Sequence, residues 1–533
     1  MIPKIIHQTW HSPVYDSDKG SPESWRRHNP DWEYRFWTDA DLEAFVRDEF
    51  PEFLDLYLGY PNNVQRADLA RYMLLFRFGG VYADMDTDCL ASFDALAGEN
   101  RVILCEEPSL HWDQARLFGM DRLYFNGTMA SPAGHPFWKH VIDCAWDVRH
   151  VAAKDVVEST GPVMLTGAIG RWSRKEELSL NSCHLFAPLG REGVDCGDPI
   201  QGDYAQLSLS RHNWAGSWYV RDTPPEPLRS RLKGMWRKMR VRALAPRPLT
   251  FETAMGRIDS DTLYSPAAPL DPDKLPNVAI FIPVRDGAPF IENNFKLIQA
   301  LDYPRERLRL VYCEGDSTDD SRAILERLRD EHGRFYRGFD VLSYSTGLTL
   351  RRRKRWKPKY QWKRRSAIAR ARNALIRGGL TTDDEWVLWI DVDVCAFEPG
   401  VLKTLLLDGA KIVTPNCMIE PGGRSYDLNA FYEIGKPRDS LYYKHMVKGL
   451  FHPPDTYQHR RFLHDMRYLD RAPLVSVGGT MLLVHGAVHR SGLVFPEIPY
   501  RDLVETEGFG RLAYDAGVKP VGLPNVEIFH VNS

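Results

Sequence analysis

Twice along this chain an apolar run stops on two aspartates set one residue apart. The first is FGGVYADMD, ending at Asp84 and Asp86; the second is WVLWIDVD, ending at Asp391 and Asp393. Such runs read as buried strands, and a buried strand cannot carry bare charge into a core. The aspartates therefore mark where each strand leaves the core. In a strand, side chains two apart share a face, so each pair is expected to point one way. In open α/β sheets ligands collect beyond the carboxyl ends of strands. Two carboxylates converging there repel each other unless a cation lies between them. Mg²⁺ or Mn²⁺ fits, with phosphate oxygens and water completing the shell. The competing reading is a solvated acidic turn. A calcium loop fails on detail, because DMDTD is followed by Cys89 at the sixth position, where Gly is needed, and Ala95 at the twelfth, where Glu is needed. Asp88 shares the parity of the first pair and has no evident role.

The 533 residues exceed one ordinary core, and both ends of the chain show strand–helix alternation. Residues 1–222 form one expected α/β domain, with strands at IPKIIHQTW and YRFWT and a helix at 63–78 stopped by Gly79-Gly80. Residues 276–533 form a second, with buried parallel strands at 278–284 and 309–315 and a helix at 364–379 leading to WVLWIDVDV. The proline-rich stretch 223–275 between them reads as a linker.

The helix before the first pair carries Asp68 and Arg71 three apart on one face, opposite a core stripe of Leu69, Met73 and Phe76. A plain surface ion pair is the bland alternative. The combined string, IPKIIHQTW followed by QRADLARYMLLFRFGGVYADMD, resembles the DXD-containing sugar-binding glycosyltransferases of family 32, which include the fungal initiating α-1,6-mannosyltransferase. That resemblance implies a GT-A (Rossmann-like, nucleotide-sugar-binding) fold, a nucleotide-sugar donor and retention at the anomeric carbon. It places metal and diphosphate on Asp84 and Asp86, donor-sugar hydroxyls on Asp68 and Arg71, and the base near Trp10. SRHNWAGSW resembles the family's closing element, which makes His212 a metal ligand, Ser217 a donor contact and Trp218 a cover.

The second half resembles the fungal mannan-polymerase subunits of family 62, through VAIFIPVRDGAPFIENN, EGDSTDDS, RRSAIARARNALI, WVLWIDVDV, GRSYDLNAF, ETEGFGRLAYDAG and NVEIFH, in that order. The resemblance implies a second GT-A domain using GDP-mannose. It makes Asp391, Asp393 and His530 the metal set, and an imidazole beside carboxylates favours Mn²⁺ over Mg²⁺. Arg365, Arg370 and Arg372 are expected to neutralise the diphosphate. Asp427 is expected near the anomeric carbon, and Glu505 and Glu507 on the acceptor side. For those two glutamates, simple acid placement at a helix N-terminus is the alternative.

The whole reads as a bifunctional, metal-dependent, retaining glycosyltransferase: two GT-A domains in tandem, one Mn²⁺ or Mg²⁺ in each. The second takes GDP-mannose; the first takes mannose or another hexose, with a UDP-sugar as an open donor. The acceptor is a glycan or a lipid-linked glycan. In an alternative, one domain binds glycan without catalysis. The basic, aromatic run at 351–365 suits nucleic acid, but it abuts the expected diphosphate helix, and no nucleic-acid partner is expected. Residues 227–248 space Leu228, Leu232, Met235, Trp236, Met239 and Leu244 helically among cations. This fits peripheral contact with anionic lipid or a helix packed between domains. Eight cysteines without C-x-x-C spacing fit a reducing compartment, and MIPKIIHQTW has no charged leader region. The expected location is the cytoplasm, at most peripheral at the inner face of a membrane.

Overall fold

The computed structural model describes residues 1–14, 22–195, 197–216, 239, 248–271, 274–348, 357–435 and 440–532. The chain divides into two compact units, Met1–Pro224 with Arg467–Asp470, and Pro225–Met466 with Arg471–Ser533. Each unit is built on a mixed α/β sheet.

The first unit contains β1 (Ile5–Trp10), β2 (Glu33–Thr38), α1 (Asn63–Phe78), β3 (Gly80–Ala83), β4 (Thr87–Cys89), β5 (Val102–Cys105), β6 (Thr128–Ser131), β7 (Leu178–Asn181) and β8 (Ser210–His212). Its six-stranded sheet runs β2-β1-β3-β6-β5-β7. β1 is parallel to β2 and β3, whereas β6 is antiparallel to β3. β4 and β8 form a separate antiparallel ribbon. The glycine stop after α1 has two physical causes. Gly79 takes φ 65° and Gly80 φ 86°, and a Cβ on Gly80 would fall 2.4 Å from the Ile5 carbonyl oxygen of the neighbouring strand. No other residue lets α1 turn directly into β3. Leu69 and Met73 are fully buried, as the stripe requires, but Asp68 and Arg71 on the other face are buried too.

In the second unit β9 (Val278–Val284), β10 (Leu308–Glu314), β11 (Gly338–Ser343), α2 (Pro358–Gly379), β12 (Trp386–Ile390), β13 (Val394–Phe397), β14 (Ile412–Met418), β15 (Met481–His485), α3 (Glu505–Asp515) and β16 (Val521–His530) carry the argument. The main sheet runs β11-β10-β9-β12-β15-β14-β16-β13, with Ala472–Pro473 pairing β16 off this path. β9, β10, β11 and β12 are mutually parallel, and β15 is antiparallel to β12. The strand period shows in the core. Ile280, Ile282, Leu388 and Ile390 pack on one face, and Ala279, Phe281, Val387 and Trp389 on the other.

Within the stretch read as a linker, residues 249–264 add to the second core. Leu249 bridges to Tyr500, and the short helices Phe251–Met255 and Ser260–Tyr264 bury Ala254 and Leu263. The basic segment 227–248 lies outside the described residues apart from Met239 and Pro248, as do 351–356 of the second basic run. Among the described residues no helix is long and apolar enough to cross a membrane.

Candidate active sites

One expectation is corrected at the outset. The aspartates do not lie in strands. β3 ends at Ala83 and β12 at Ile390, and each pair sits in the turn that follows. In both turns the first aspartate's carbonyl accepts the N–H three residues on, Thr87 to Asp84 at 3.1 Å and Val394 to Asp391 at 3.2 Å. Neither strand continues here, because the next residues turn to new partners: β4 pairs with β8 in the separate ribbon, and β13 pairs with β16 at the far edge of the main sheet. The turn, not a strand pleat, aims the carboxylates.

What each turn meets is set by the strand that follows it. β4 pairs with β8 in the register Thr87 to His212. His212 Nε2 thereby comes 3.1 Å from Asp86 Oδ1 and 3.7 Å from Asp84 Oδ2. The Ala215 N–H donates to Asp86 Oδ2 at 2.9 Å. Ligand atoms of Asp84, Asp86 and His212 all lie within 4.8 Å of one another, the one such trio among the described residues. That spacing and the O, O, N donor set fit one divalent cation and favour Mn²⁺. Burial alone would lower the His212 pKa, but Asp86 and Asp84 outweigh it and hold the ring near 9. Its Nδ1 accepts the Trp214 N–H at 3.1 Å, a contact that favours the neutral ring, so its neighbours pull in opposite directions. Burial would also raise Asp86, but His212 holds it below the usual carboxylate range.

Asp68 and Arg71 are no surface pair. Arg71 Nη2 lies 2.8 Å from Asp68 Oδ1 and 3.1 Å from Asp84 Oδ1. Arg71 Nη1 donates to the Asn126 carbonyl at 2.8 Å. Asp68 also accepts from Asn126 Nδ2 at 3.1 Å and Thr160 Oγ1 at 2.9 Å. Burial and the neighbouring Asp84 push its pKa up to about 6 against the pull of Arg71. Tyr82 donates its hydroxyl to Asp84 Oδ1 at 2.9 Å. Asp68, Arg71, Asp84, Asp86, Asn126 and His212, with Trp10, His11, Glu107 and His111, line a cavity of about 580 Å³. Ser217 and Trp218 lie outside the described residues. Asp88 points elsewhere: its Oδ2 accepts from Arg211 Nη2 at 2.8 Å and Asn213 Nδ2 at 3.1 Å, the residues on either side of His212.

Asn126, Thr160 and the Ala215 N–H were not singled out from the sequence. Asn126 sits in FNGT, where a polar residue between an aromatic and a glycine just before a strand was an available signal. Neither Thr160 nor a backbone N–H carries one.

In the second unit β13 pairs antiparallel with β16, Val394 opposite His530. His530 Nε2 then lies 3.1 Å from Asp393 Oδ1. Nδ1 lies 2.7 Å from the Val531 carbonyl, which can only accept, so Nδ1 carries a proton and Nε2 is the nitrogen that would face a cation once its own proton is lost. Tyr426 stacks on the ring at 4.0 Å between centroids. Burial competes with Asp393, and the net effect raises His530. Asp391 is held by Arg372 Nη2 at 2.9 Å. Burial, helped by Asp393, Glu505 and Asp427, raises Asp391 to about 7 despite Arg372. Asp427 accepts the Gly479 N–H at 2.8 Å, the Thr480 N–H at 3.2 Å and Thr480 Oγ1 at 3.1 Å, and its other oxygen accepts the Asn429 N–H at 3.1 Å. Glu505 and Glu507 are buried against arginines: Glu505 takes Arg372 and Arg365, and Glu507 takes Arg365. Arg370 is half-buried and donates to Ser366 Oγ at 3.2 Å.

Comparison with known proteins agrees with both sequence resemblances. Residues 16–103 match the family "Glycosyltransferase sugar-binding region containing DXD motif", and residues 267–499 match the Anp1 family. Inositol phosphoceramide mannosyltransferase 3 of Schizosaccharomyces pombe is 33% identical over 178 residues, covering 32% of this chain and 46% of that protein. Mannan polymerase complex subunit mnn9 of the same organism is 27% identical over 276 residues, covering 48% of this chain and 80% of that protein. The chain spans half or less of the length of the inositol phosphoceramide mannosyltransferases it matches, 46%, 28% and 50% of the three. The solved "Mannosyltransferase PcManGT from Pyrobaculum calidifontis in complex with GDP-Man and Mn2+" is 17% identical, covering 57% of this chain and 69% of that one. Its TM-score is 0.28, too low to bear on the fold.

Proposed function

We propose that this chain is a glycosyltransferase with two donor sites on two GT-A domains, each moving a hexose from a nucleoside diphosphate sugar onto a glycan or glycolipid with retention of configuration. GDP-mannose is the donor at the second site. Mannose is the favoured sugar at the first, in keeping with the names of the relatives on both sides. One observation carries the reading: the same backbone layout occurs twice, with the ligand atoms gathered within 4.8 Å of one another in the first unit. A parallel strand ends on an aspartate turn, a short strand follows, and its antiparallel partner ends in a histidine facing the second aspartate.

Asp84, Asp86 and His212 would hold the divalent cation in the first unit, and Asp391, Asp393 and His530 in the second. Bound there, the ion would offset the charge that develops on the departing diphosphate. The protein supplies the rest. Asp68 and Arg71, at the wall of the cavity, offer an acceptor and a donor to sugar hydroxyls. Asp427 is a carboxylate fixed by four hydrogen bonds, suited to face an oxocarbenium-like carbon.

The test is a donor screen with Mn²⁺ on the wild type, Asp84→Ala/Asp86→Ala and Asp391→Ala/Asp393→Ala. Each double variant is expected to remove a different sugar-nucleotide turnover, by at least about a thousandfold. Unchanged turnover in both sinks the reading. Loss of every activity with one variant alone reduces it to a single catalytic site.

A further inference from the structure

Arg365, Arg370 and Arg372 look interchangeable in RRSAIARAR, but the fold separates them. Arg370 keeps access to solvent, whereas Arg372 is 2% exposed. Its Nη2 donates to Asp391 Oδ1 at 2.9 Å and to the Gly479 carbonyl at 3.2 Å, while its Nε donates to Glu505 Oε1 at 3.2 Å. The guanidinium carbon lies 5.4 Å from the Trp389 ring and 5.6 Å from the Phe495 ring. A Cβ on Gly479 would fall 2.4 Å from Nη2, so the backbone closes on it directly. Nε and Nη2 are therefore committed to Glu505, Asp391 and the Gly479 carbonyl, and only the buried Nη1 has no hydrogen-bond partner among the described residues.

The charges continue inward. Glu505 Oε2 lies 3.4 Å from Arg365 Nε, Arg365 also bonds Glu507, and Glu507 Oε1 is 3.6 Å from Arg460 Nη1. The signs alternate along the whole path. Burying charge is unfavourable unless every member is paired, so the arrangement tolerates little displacement of any of them. Glu505 itself opens α3 at φ 59°, a left-handed conformation that glutamate takes only where its surroundings fix it. The path ends on Asp391.

We propose that Glu505 and Arg372 are positioning residues that hold Asp391 for metal binding. The inference rests on the reading of Asp391 and Asp393 as a metal-holding pair. Arginine's planar fork reaches Asp391, Gly479 and Glu505 at fixed angles, which lysine's single ammonium cannot do. With one Asp391 oxygen tied to Arg372, the other is left for the ion.

The test uses the full chain carrying Asp84→Asn/Asp86→Asn, so that titration calorimetry with Mn²⁺ alone reads the second site. GDP is then titrated at saturating Mn²⁺. Arg372→Lys and Glu505→Gln are each expected to weaken Mn²⁺ binding about tenfold. Arg370→Ala, about 200° round α2 from Arg372, is the control and is expected to leave Mn²⁺ affinity within about twofold. If Arg372→Lys and Glu505→Gln keep the Mn²⁺ affinity and weaken GDP alone, Arg372 is a phosphate ligand and the inference is overturned. If Asp391→Asn/Asp393→Asn leaves Mn²⁺ binding intact, the metal reading itself fails, and this inference with it. Thermal melts accompany each variant. Should Glu505→Gln not fold, Glu505→Asp keeps the charge but withdraws it by one methylene. A loss of Mn²⁺ affinity of about threefold or more in that variant supports positioning, and none overturns it.

Discussion

The two aspartate turns share a backbone and differ in how their charge is balanced. In both, an arginine from the preceding helix bonds the first aspartate and a second, buried acid. In the first unit that acid is Asp68, one helical turn from Arg71 on α1. In the second it is Glu505, on a helix far along the chain from Arg372. The histidines differ too. His212 faces both carboxylates of its pair, whereas His530 has a contact with Asp393 only. The third acid, Asp88, is matched in the second turn by Cys395. The lesson is that one aspartate-turn layout can be braced locally or at long range, and the two kinds of brace should fail differently.

The largest expected effect concerns the local brace. Asp68 titrates near 6 in the folded protein against a usual 3.8. Between those values the folded state holds a proton that the unfolded chain has released. Stability is therefore lost as pH rises through that window, by up to about 3 kcal/mol. In chelator-containing buffer, Asp68→Asn should flatten the denaturant-derived stability profile between about pH 4 and 6. An unchanged slope would show that Arg71 balances Asp68 completely.

Next in size are the histidines. In backgrounds where the other pair is silenced, His212→Ala should weaken Mn²⁺ binding about a hundredfold and His530→Ala about tenfold. The order follows from the number of carboxylates each ring meets. Equal losses, read by calorimetry, would mean that the two sites close to the same geometry once the ion binds, and the contrast drawn above would collapse.

The smallest effect belongs to Asp88. Its contacts with Arg211 and Asn213 hold the ribbon that delivers His212, but the ion pair is partly exposed. Asp88→Asn should weaken Mn²⁺ binding at the first site by about threefold, and raising the salt concentration on the wild type should reproduce part of that loss. A variant indistinguishable from wild type would reduce Asp88 to a surface charge.

Particular residues show where reading the sequence succeeds. Asp84 and Asp86 were legible because an apolar run must end before it meets charge, and Gly79-Gly80 because a helix needs a residue with positive φ to turn at once into a strand. Asp68 and Arg71 were legible as a pair because helical spacing fixes their neighbourhood. The strand assignment of the aspartates failed for a local reason: period two describes the pleat and is blind to the turn after it. Arg372 and Glu505 were each noticed and given separate roles, on phosphate and acceptor, because nothing local joins them.

The sequence by itself determined the two α/β halves, the two aspartate pairs and the helices that feed them, since these follow from hydrophobic periodicity and from backbone demands within a few residues. Only the tertiary structure decided that His212 faces both carboxylates of its pair while His530 lies against Asp393, that Asp88 contacts Arg211 and Asn213 instead of joining the pair, and that Arg372 faces inward. Those outcomes depend on strand register and on burial. Both are settled by contacts between residues a hundred or more positions apart, where no local pattern of side chains records the pairing.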